Sequence, residues 1–171
     1  MKVLCDMILD DYYPKIGDNE RIRNAVRGII LNEYDEIALI HIKGKDDFGD
    51  RDHFELPGGG IEENESFKVA LIREIREEIG YEIHNIIEVG IIANQYNLLN
   101  RTDIQHYFLA YTKSYVGQQL TQEEQKLIKD IVFIPKNDIV KYYETFEVHN
   151  VGIEIHTRDQ IAIKEALKLI L

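Results

Sequence analysis

The sequence predicts an α/β fold built on a mixed, partly antiparallel sheet, and three observations carry that prediction. Runs rich in Val, Ile, Tyr and Phe recur along the chain, bounded by Asn, Asp, Gly and Pro, as strands are. An apolar stripe at helical spacing, Leu71, Ile72, Ile75 and Ile79, interrupts them. Neighbouring strand runs are joined by short polar turns, so hairpins are expected and a simple doubly wound parallel order is disfavoured.

Taken in order, residues 24–32 and 36–42 read as strands around the turn Asn32-Glu33-Tyr34-Asp35, an expected hairpin. Residues 43–53, crowded with Lys, Asp and Arg, read as a polar loop. The turn Leu56-Pro57-Gly58-Gly59-Gly60 then leads into a helix that Asn64 or Ser66 can cap. Strands are expected again over 85–96 and 104–112, separated by a polar connection, and over 131–134, ending at Pro135. A helix over 136–143 follows. The last helix is expected to open at Thr157-Arg158-Asp159-Gln160, a capping-box pattern, and to bury Ala162, Ile163, Ala166, Leu167 and Ile170.

At 171 residues, with no Pro/Ser-rich linker or repeat, the chain suits one domain over 1–171, its first 20 or so residues a candidate extension. Hydrophobic residues at 44% and charged residues at 30% fit a soluble globular protein and exclude global disorder. A net charge of −11 argues against an extended nucleic-acid surface, which needs clustered Lys and Arg. The opening apolar run is broken by Asp6 and by Asp10-Asp11, too short and too charged for a signal peptide or membrane span. The expectation is a cytoplasmic protein with no membrane partner. The single Cys5 excludes an internal disulfide.

The densest chemistry lies between residues 59 and 81. After Gly59 come five residues, Glu65, seven more, and then Arg73-Glu74-Ile75-Arg76-Glu77-Glu78-Ile79-Gly80-Tyr81. At 3.6 residues per turn, Glu74, Glu77 and Glu78 share one face of the helix, beside the apolar stripe. Like charges at this spacing repel, and a bound cation reverses the sign; oxygen-only ligands select hard ions such as Mg²⁺ or Mn²⁺. The glycines ahead of the helix let backbone approach a ligand closely. Arg73, four residues before Glu77, can pair with it. Arg-Glu-Ile-Arg-Glu-Glu alone reads as a solvated helix face; the spacing from Gly59 through Glu65 overturns that reading.

This segment resembles the signature of the Nudix hydrolases, Gly-x5-Glu-x7-Arg-Glu-U-x-Glu-Glu-x-Gly-U with U a bulky aliphatic residue. Eight of the nine specified positions match, and Tyr81 departs at the last. The resemblance implies an αβα sandwich with a mixed sheet. It also implies Mg²⁺-dependent (or Mn²⁺-dependent) hydrolysis of a phosphoanhydride in a nucleoside diphosphate linked to another group. In that scheme Glu74, Glu77 and Glu78 are the catalytic and metal-binding carboxylates. Glu77 and Glu78 are the firmest ligands, and Glu74 is a third ligand or the general base. Gly59, or its neighbour Gly58, adds a backbone carbonyl, while Glu65 and Arg73 support the site.

Metals in such a site neutralise phosphate oxygens and lower the pKa of bound water. Arg51 and Arg27 are substrate-binding candidates, with Arg23, Lys43 and Lys45 also available to a polyphosphate. The expected partner is a small nucleotide or nucleotide derivative, and a homodimer is left open. The alternative is a Nudix-fold module that binds nucleotide without hydrolysing it. An RNA-end pyrophosphohydrolase is disfavoured by the acidic charge. Glu123 and Glu124 are candidates for the extra acid that often joins Nudix sites from outside the signature. His106, on an expected strand, could face the cleft, though a lone strand histidine is more often packed. In the window where the family's sorting residues fall, Tyr96-Asn97-Leu98-Leu99 lacks the proline of ADP-ribose enzymes, and Tyr96 hints at dinucleoside polyphosphates. Tyr34, Phe48, Phe54, Tyr96 and Tyr107 are unranked candidates for base stacking.

Overall fold

A computed structural model describes residues 1–17 and 21–170. Six strands form one mixed sheet: β1 (Arg21–Leu31), β2 (Glu36–Asp46), β3 (Gly49–Glu55), β4 (Tyr81–Tyr96), β5 (Arg101–Tyr115) and β6 (Ile128–Pro135). The order is β3-β2-β1-β5-β4, with β6 paired to β2 off this path. β1 runs parallel to β5, from Arg21 opposite Arg101 to Leu31 opposite Tyr111, and the remaining pairs are antiparallel.

Side-chain alternation makes this sheet the middle layer of the expected αβα sandwich. β1 turns Val26 and Ile30 to one face and Ile29 and Leu31 to the other; β5 does the same with Phe108 and Ala110 against Tyr107 and Leu109. The first face packs on Leu71, Ile75 and Ile79 of α1 (Phe67–Ile79). The second packs on Ile139 of α3 (Ile139–Thr145) and on Ala162, Ile163 and Ala166 of α4 (Val151–Leu167). A short α2 (Gln122–Leu127) leads into β6.

Several expected boundaries move. The hairpin of β1 and β2 closes as anticipated, with the Asn32 N–H donating to Glu36 O at 3.0 Å, but the paired residues are Leu31 and Ile37 alone. Beyond that point the chain after β3 takes β1's edge: the Gly28 N–H reaches Pro57 O at 2.8 Å and the Val26 N–H reaches Gly59 O at 2.9 Å. The glycine turn is thereby stitched to the central strand. Residues 43–53 are not a loop but most of a hairpin, with Lys43 opposite Asp52 and Asp46 opposite Gly49. Ion pairs such as Lys43–Asp52 at 2.7 Å satisfy this arm, so it carries no apolar alternation to betray it.

β4 starts at Tyr81 rather than 85, and a 3₁₀ turn over Asn97–Leu99 fills the connection to β5. α3 begins three residues later than expected, after a turn in which the Asp138 N–H donates to Pro135 O. α4 begins at Val151, not at Thr157, whose hydroxyl donates to Ile153 O inside the helix. The pattern Thr-x-x-Gln was there by coincidence. The capping box that does form is Thr121 with Glu124, at α2.

Residues 1–17 run along the outer edge of β4 in the parallel sense. The Leu4 N–H donates to Ile91 O at 3.0 Å and the Ile8 N–H to Ala93 O at 2.9 Å, while Leu4, Cys5 and Ile8 pack on the core. The edge of β4 from Ile91 to Gln95 is thereby covered. Among the described residues no helix is long and apolar enough to cross a membrane.

Candidate active site

α1 starts at Ser66, whose hydroxyl accepts from the Val69 N–H, and ends at Gly80, whose N–H donates to Ile75 O. Its buried stripe is Ala70, Leu71, Ile75 and Ile79; Ile72, expected among them, is 36% exposed. That docking turns Glu74 and Glu78, one helical turn apart, inward against the glycine turn, and both are buried. Gly58 donates its N–H to a Glu78 carboxylate oxygen at 2.6 Å. It sits at φ +139°, and a Cβ there would lie 2.1 Å from Val26 O. At Gly59 a Cβ would lie 2.6 Å from Glu74 Oε1. The turn thus lies closer to β1 at Gly58 and to the Glu74 carboxylate at Gly59 than a side chain would allow without a shift.

Arg73 is the hub of the cluster. Its Nε and Nη2 grip the Glu65 carboxylate at 2.9 Å each, and Nη2 also donates to Gly60 O at 2.9 Å. Nη1 reaches Glu74 at 2.8 Å and Glu77 at 3.2 Å. Glu65 precedes the cap and takes the Glu62 N–H as well, so its pKa is held down, chiefly by Arg73. Glu77 is the most open of the trio, with 37% of its side chain exposed. Burial pushes the Glu74 and Glu78 carboxyls up, Glu78 well above the ordinary range, and Glu74 and Glu77 raise their neighbours further by like charge.

Two carboxylates beside a glycine turn offer the oxygen-only donors that a hard cation takes. Among the described residues no three His, Cys, Asp or Glu side chains already converge on a single ion position. The Arg73 guanidinium stands among the carboxylates instead, and its three bonds to Glu65 and Gly60 fix it independently of Glu74 and Glu77. The residues fit the metal. The Gly59 carbonyl accepts the Val26 N–H at 2.9 Å.

A cleft of about 150 Å³ opens between β1, β5, the β2–β3 hairpin and the start of α4. Four arginines line it, Arg23, Arg27, Arg51 and Arg101, against two acids, Glu55 and Asp103. In a chain of net charge −11 this is a local reversal of sign. Arg23 joins the cleft to the carboxylates, since its guanidinium occupies the space where a Gly60 side chain would be. Arg27 donates to Leu56 O at 3.1 Å and to Gln105 at 3.2 Å; Arg51 pairs with Asp46 at 2.6 Å and lies over the Phe48 ring. Both arginines expected to bind substrate therefore face one cleft.

Beneath it Arg158, fully buried, donates to Tyr96 Oη at 2.8 Å and to Asp159 at 3.1 Å, with Glu55 3.8 Å away. Burial would raise the Glu55 carboxyl, but Arg27, His53 and Arg158 together hold it well below the usual range.

Other expected residues fall elsewhere. Glu124 closes the α2 capping box and Glu123 pairs with Lys126, both within α2. His106 stacks on Phe67 at 3.9 Å and bonds Asn24, a packed histidine rather than a cleft group. Of the aromatic candidates, Phe48 and Tyr96 line the cleft, Phe54 and Tyr107 belong to the core, and Tyr34 is 75% exposed. Arg101, Asp103 and Glu55 were not anticipated. Alternation could have found two of them: Arg101, Asp103 and Gln105 share one face of β5, as Arg23 and Arg27 share one face of β1.

A mixed sheet between helical layers carries a buried carboxylate helix on a glycine turn beside a cationic cleft, a site whose charges suit a phosphate-bearing ligand. The model of the NUDIX domain family matches residues 21–151, and the chain belongs to that family. It is a Nudix hydrolase, an enzyme class that acts on phosphoanhydrides. A protein of Nitratiruptor sp. named RNA pyrophosphohydrolase is 30% identical over 142 residues, covering 76% of this chain and 88% of that protein. An 8-oxo-dGTP diphosphatase of Haemophilus influenzae is 28% identical over 108 residues, covering 63% and 75%. Among solved structures, a NUDIX hydrolase from Nitrosomonas europaea shares the fold with a TM-score of 0.64 at 17% identity, covering 86% of this chain and 90% of that one. The NUDIX domain of Shewanella oneidensis NrtR, solved with ADP ribose, gives 0.59 at 16% identity, covering 94% and 95%.

Proposed function

We propose that this protein hydrolyses a phosphoanhydride of a small nucleotide, a nucleoside diphosphate linked to another group, with Mg²⁺ or Mn²⁺ held by Glu74, Glu77 and Glu78. The observation that carries the reading is the buried pair Glu74 and Glu78 against the Gly58–Gly59 turn, with Arg23 leading from it into the arginine cleft. When bound, the metal supplies charge neutralisation at the phosphate oxygens and a more acidic water. The chain's own residues do the rest. Arg73 keeps Glu74 and Glu77 turned toward the turn while Glu65 anchors Arg73. Glu74 serves as a third ligand or as the general base that takes the attacking water's proton. Arg23, Arg27 and Arg51 bind and orient the phosphates, and the carbonyl of Gly59, or of its neighbour Gly58, would add to the metal's ligands. The reading takes the chain as one domain working in the cytoplasm.

A second reading, hydrolysis at a triphosphorylated RNA 5′ end, draws on the Nitratiruptor relative and on a 570 Å³ groove that shares Arg51 with the cleft and adds Lys43 and Lys45. Asp50, Asp52 and Glu147 also line that groove, which ranks this reading second. The test is hydrolysis across nucleoside triphosphates including oxidised ones, dinucleoside polyphosphates, ADP-ribose and a 5′-triphosphorylated oligoribonucleotide, with Mg²⁺ or Mn²⁺. Metal-dependent turnover of a free nucleotide supports the first reading, and turnover of the oligonucleotide alone supports the second. Nucleotide binding without turnover of any substrate overturns both in favour of the non-hydrolytic module.

A further inference from the structure

The wall of the arginine cleft is built on an arm that its own sheet does not hold. β6 accompanies β2 only as far as Ile42, whereas the β2–β3 pairing continues through Lys43–Asp52 to Asp46–Gly49. The tip of the hairpin is thus two-stranded, an arrangement of marginal stability by itself. Yet this tip carries Phe48 and Arg51, which face Tyr96 and Arg101 across the cleft; the Phe48 and Tyr96 rings meet edge to face at 5.9 Å.

α2 abuts this arm at Gly44, where a Cβ would lie 3.0 Å from Lys126 O, and Val151 and Ile155 of α4 underlie Phe48; the segment 1–17 adds a third support, at the tip itself. It is laid along β4 by the backbone bonds already described, and Gly90 admits it: a Cβ there would lie 2.4 Å from a Leu4 methyl. At its far end the buried Asp10 accepts the Tyr12 and Tyr13 N–H groups at 3.0 Å each and the Asn97 N–H at 2.8 Å. The Asn97 amide returns two bonds of 2.8 Å, to Asp10 O and Tyr13 O. Tyr13 is thereby fixed on the 3₁₀ turn beside Tyr96. From there its hydroxyl donates to Phe48 O at 2.5 Å and its ring meets the Phe48 ring at 5.6 Å. Tyr13, Phe48 and Leu99 pack on a small apolar cluster, Tyr96, Val151 and Ile155, separate from the two main cores.

We propose that residues 1–17 form a strap belonging to the substrate site, in which Tyr13 is a positioning residue that holds the β2–β3 tip so that Phe48 and Arg51 wall the cleft. The strap lies outside residues 21–151, the part matched by the family model. The proposal rests on the hydrolase reading only in expecting that the cleft takes a phosphate-bearing nucleotide.

The test compares full-length wild type with Tyr13→Ala and Tyr13→Phe in three measurements. These are amide hydrogen exchange at residues 46–49 and 97–99, calorimetric affinity for α,β-methylene ATP and α,β-methylene GTP with Mg²⁺, and kcat and KM on any nucleotide turned over. Tyr13→Ala is expected to speed exchange at 46–49 selectively and to weaken probe binding and raise KM about tenfold, leaving kcat within about twofold. Tyr13→Phe, which keeps the ring and loses one hydrogen bond, is expected to fall between. Wild-type exchange and affinity in Tyr13→Ala would overturn the proposal. So would faster exchange spread over the whole sheet with kcat and Tm falling together, or failure of both probes to bind the wild type. Absence of turnover in the wild type would sink the hydrolase reading alone, since exchange and binding still report on the strap.

Discussion

Replacing Gly59 by alanine adds one methyl group at the point where the glycine turn meets the acidic helix. The new Cβ would stand 2.6 Å from Glu74 Oε1, 2.7 Å from Cδ and 2.8 Å from Oε2, all inside van der Waals contact. To restore ordinary contact the carboxylate must withdraw by about 0.8 Å. Arg73 Nη1, 2.8 Å from the same oxygen, resists that withdrawal by tethering it. Displacements of this size at a reacting centre cost on the order of 10²-fold in rate, and losing the alignment of a metal ligand weakens affinity about 10- to 100-fold. Stability should change little, because the obstructed group is the end of a flexible side chain and alanine also reduces the freedom of the unfolded chain, worth about 0.4–1 kcal/mol. The assay pairs Mn²⁺ titration by calorimetry with kcat at saturating metal and thermal unfolding of the metal-free protein. A Gly59→Ala protein with wild-type Mn²⁺ affinity and kcat would refute the placement of Glu74 in the metal site.

Other consequences are equally checkable. Arg51→Ala should raise KM about tenfold with kcat within about threefold, because it binds substrate remote from the carboxylates; steady-state kinetics showing a kcat loss alone would contradict its place in the cleft. Arg158→Ala should cost about 3–5 kcal/mol in urea unfolding, since it removes the buried cation beside Asp159 and leaves Glu55 to Arg27 and His53; a loss below about 1 kcal/mol would mean the network is not stabilising. Burial, with Asp10 nearby, lifts Glu154 from 4.5 to about 8, so the folded chain keeps a proton that the unfolded chain has released, and stability declines as pH rises from 4.5 through 8. Burial and His53 lower His156 from 6.5 to about 4, so its contribution is complete above 6.5 and is lost as pH falls through that window. The two oppose each other below pH 6.5. Between 6.5 and 8 only Glu154 acts of the pair, and Glu154→Gln should flatten the decline in Tm there; an unchanged slope would exclude Glu154 as its source.

The legible part of this protein was the part in which local chemistry and local geometry coincide. α1 could be read because its caps, apolar stripe and carboxylates all lie within fifteen residues, and the glycine turn because closely spaced glycines leave few other uses. The β2–β3 arm was invisible because its order comes from cross-strand ion pairs, Lys43 with Asp52 and Arg51 with Asp46, that have no hydrophobic period. The start of α4 was misplaced because Thr-x-x-Gln occurs inside helices as readily as before them, whereas Asn150, at φ +52°, makes no side-chain cap. The cleft drew together Arg23, Arg27, Arg51 and Arg101 from four parts of the chain; only the parallel register of β1 with β5 and the approach of the hairpin place them together. Tyr13 carried no signal at all. Its partner Phe48 is 35 residues away, and the bond between them depends on a strap laid down by backbone hydrogen bonds.

The central claim is that Glu74, Glu77 and Glu78 hold the metal that drives hydrolysis, and it is met most directly by measuring kcat and Mn²⁺ affinity together in Glu77→Gln and Glu78→Gln, on the nucleotide the wild type turns over. The account predicts that both variants fold, lose Mn²⁺ affinity and lose kcat by at least about 10³-fold. Near-wild-type turnover in either variant, with folding intact, would contradict it.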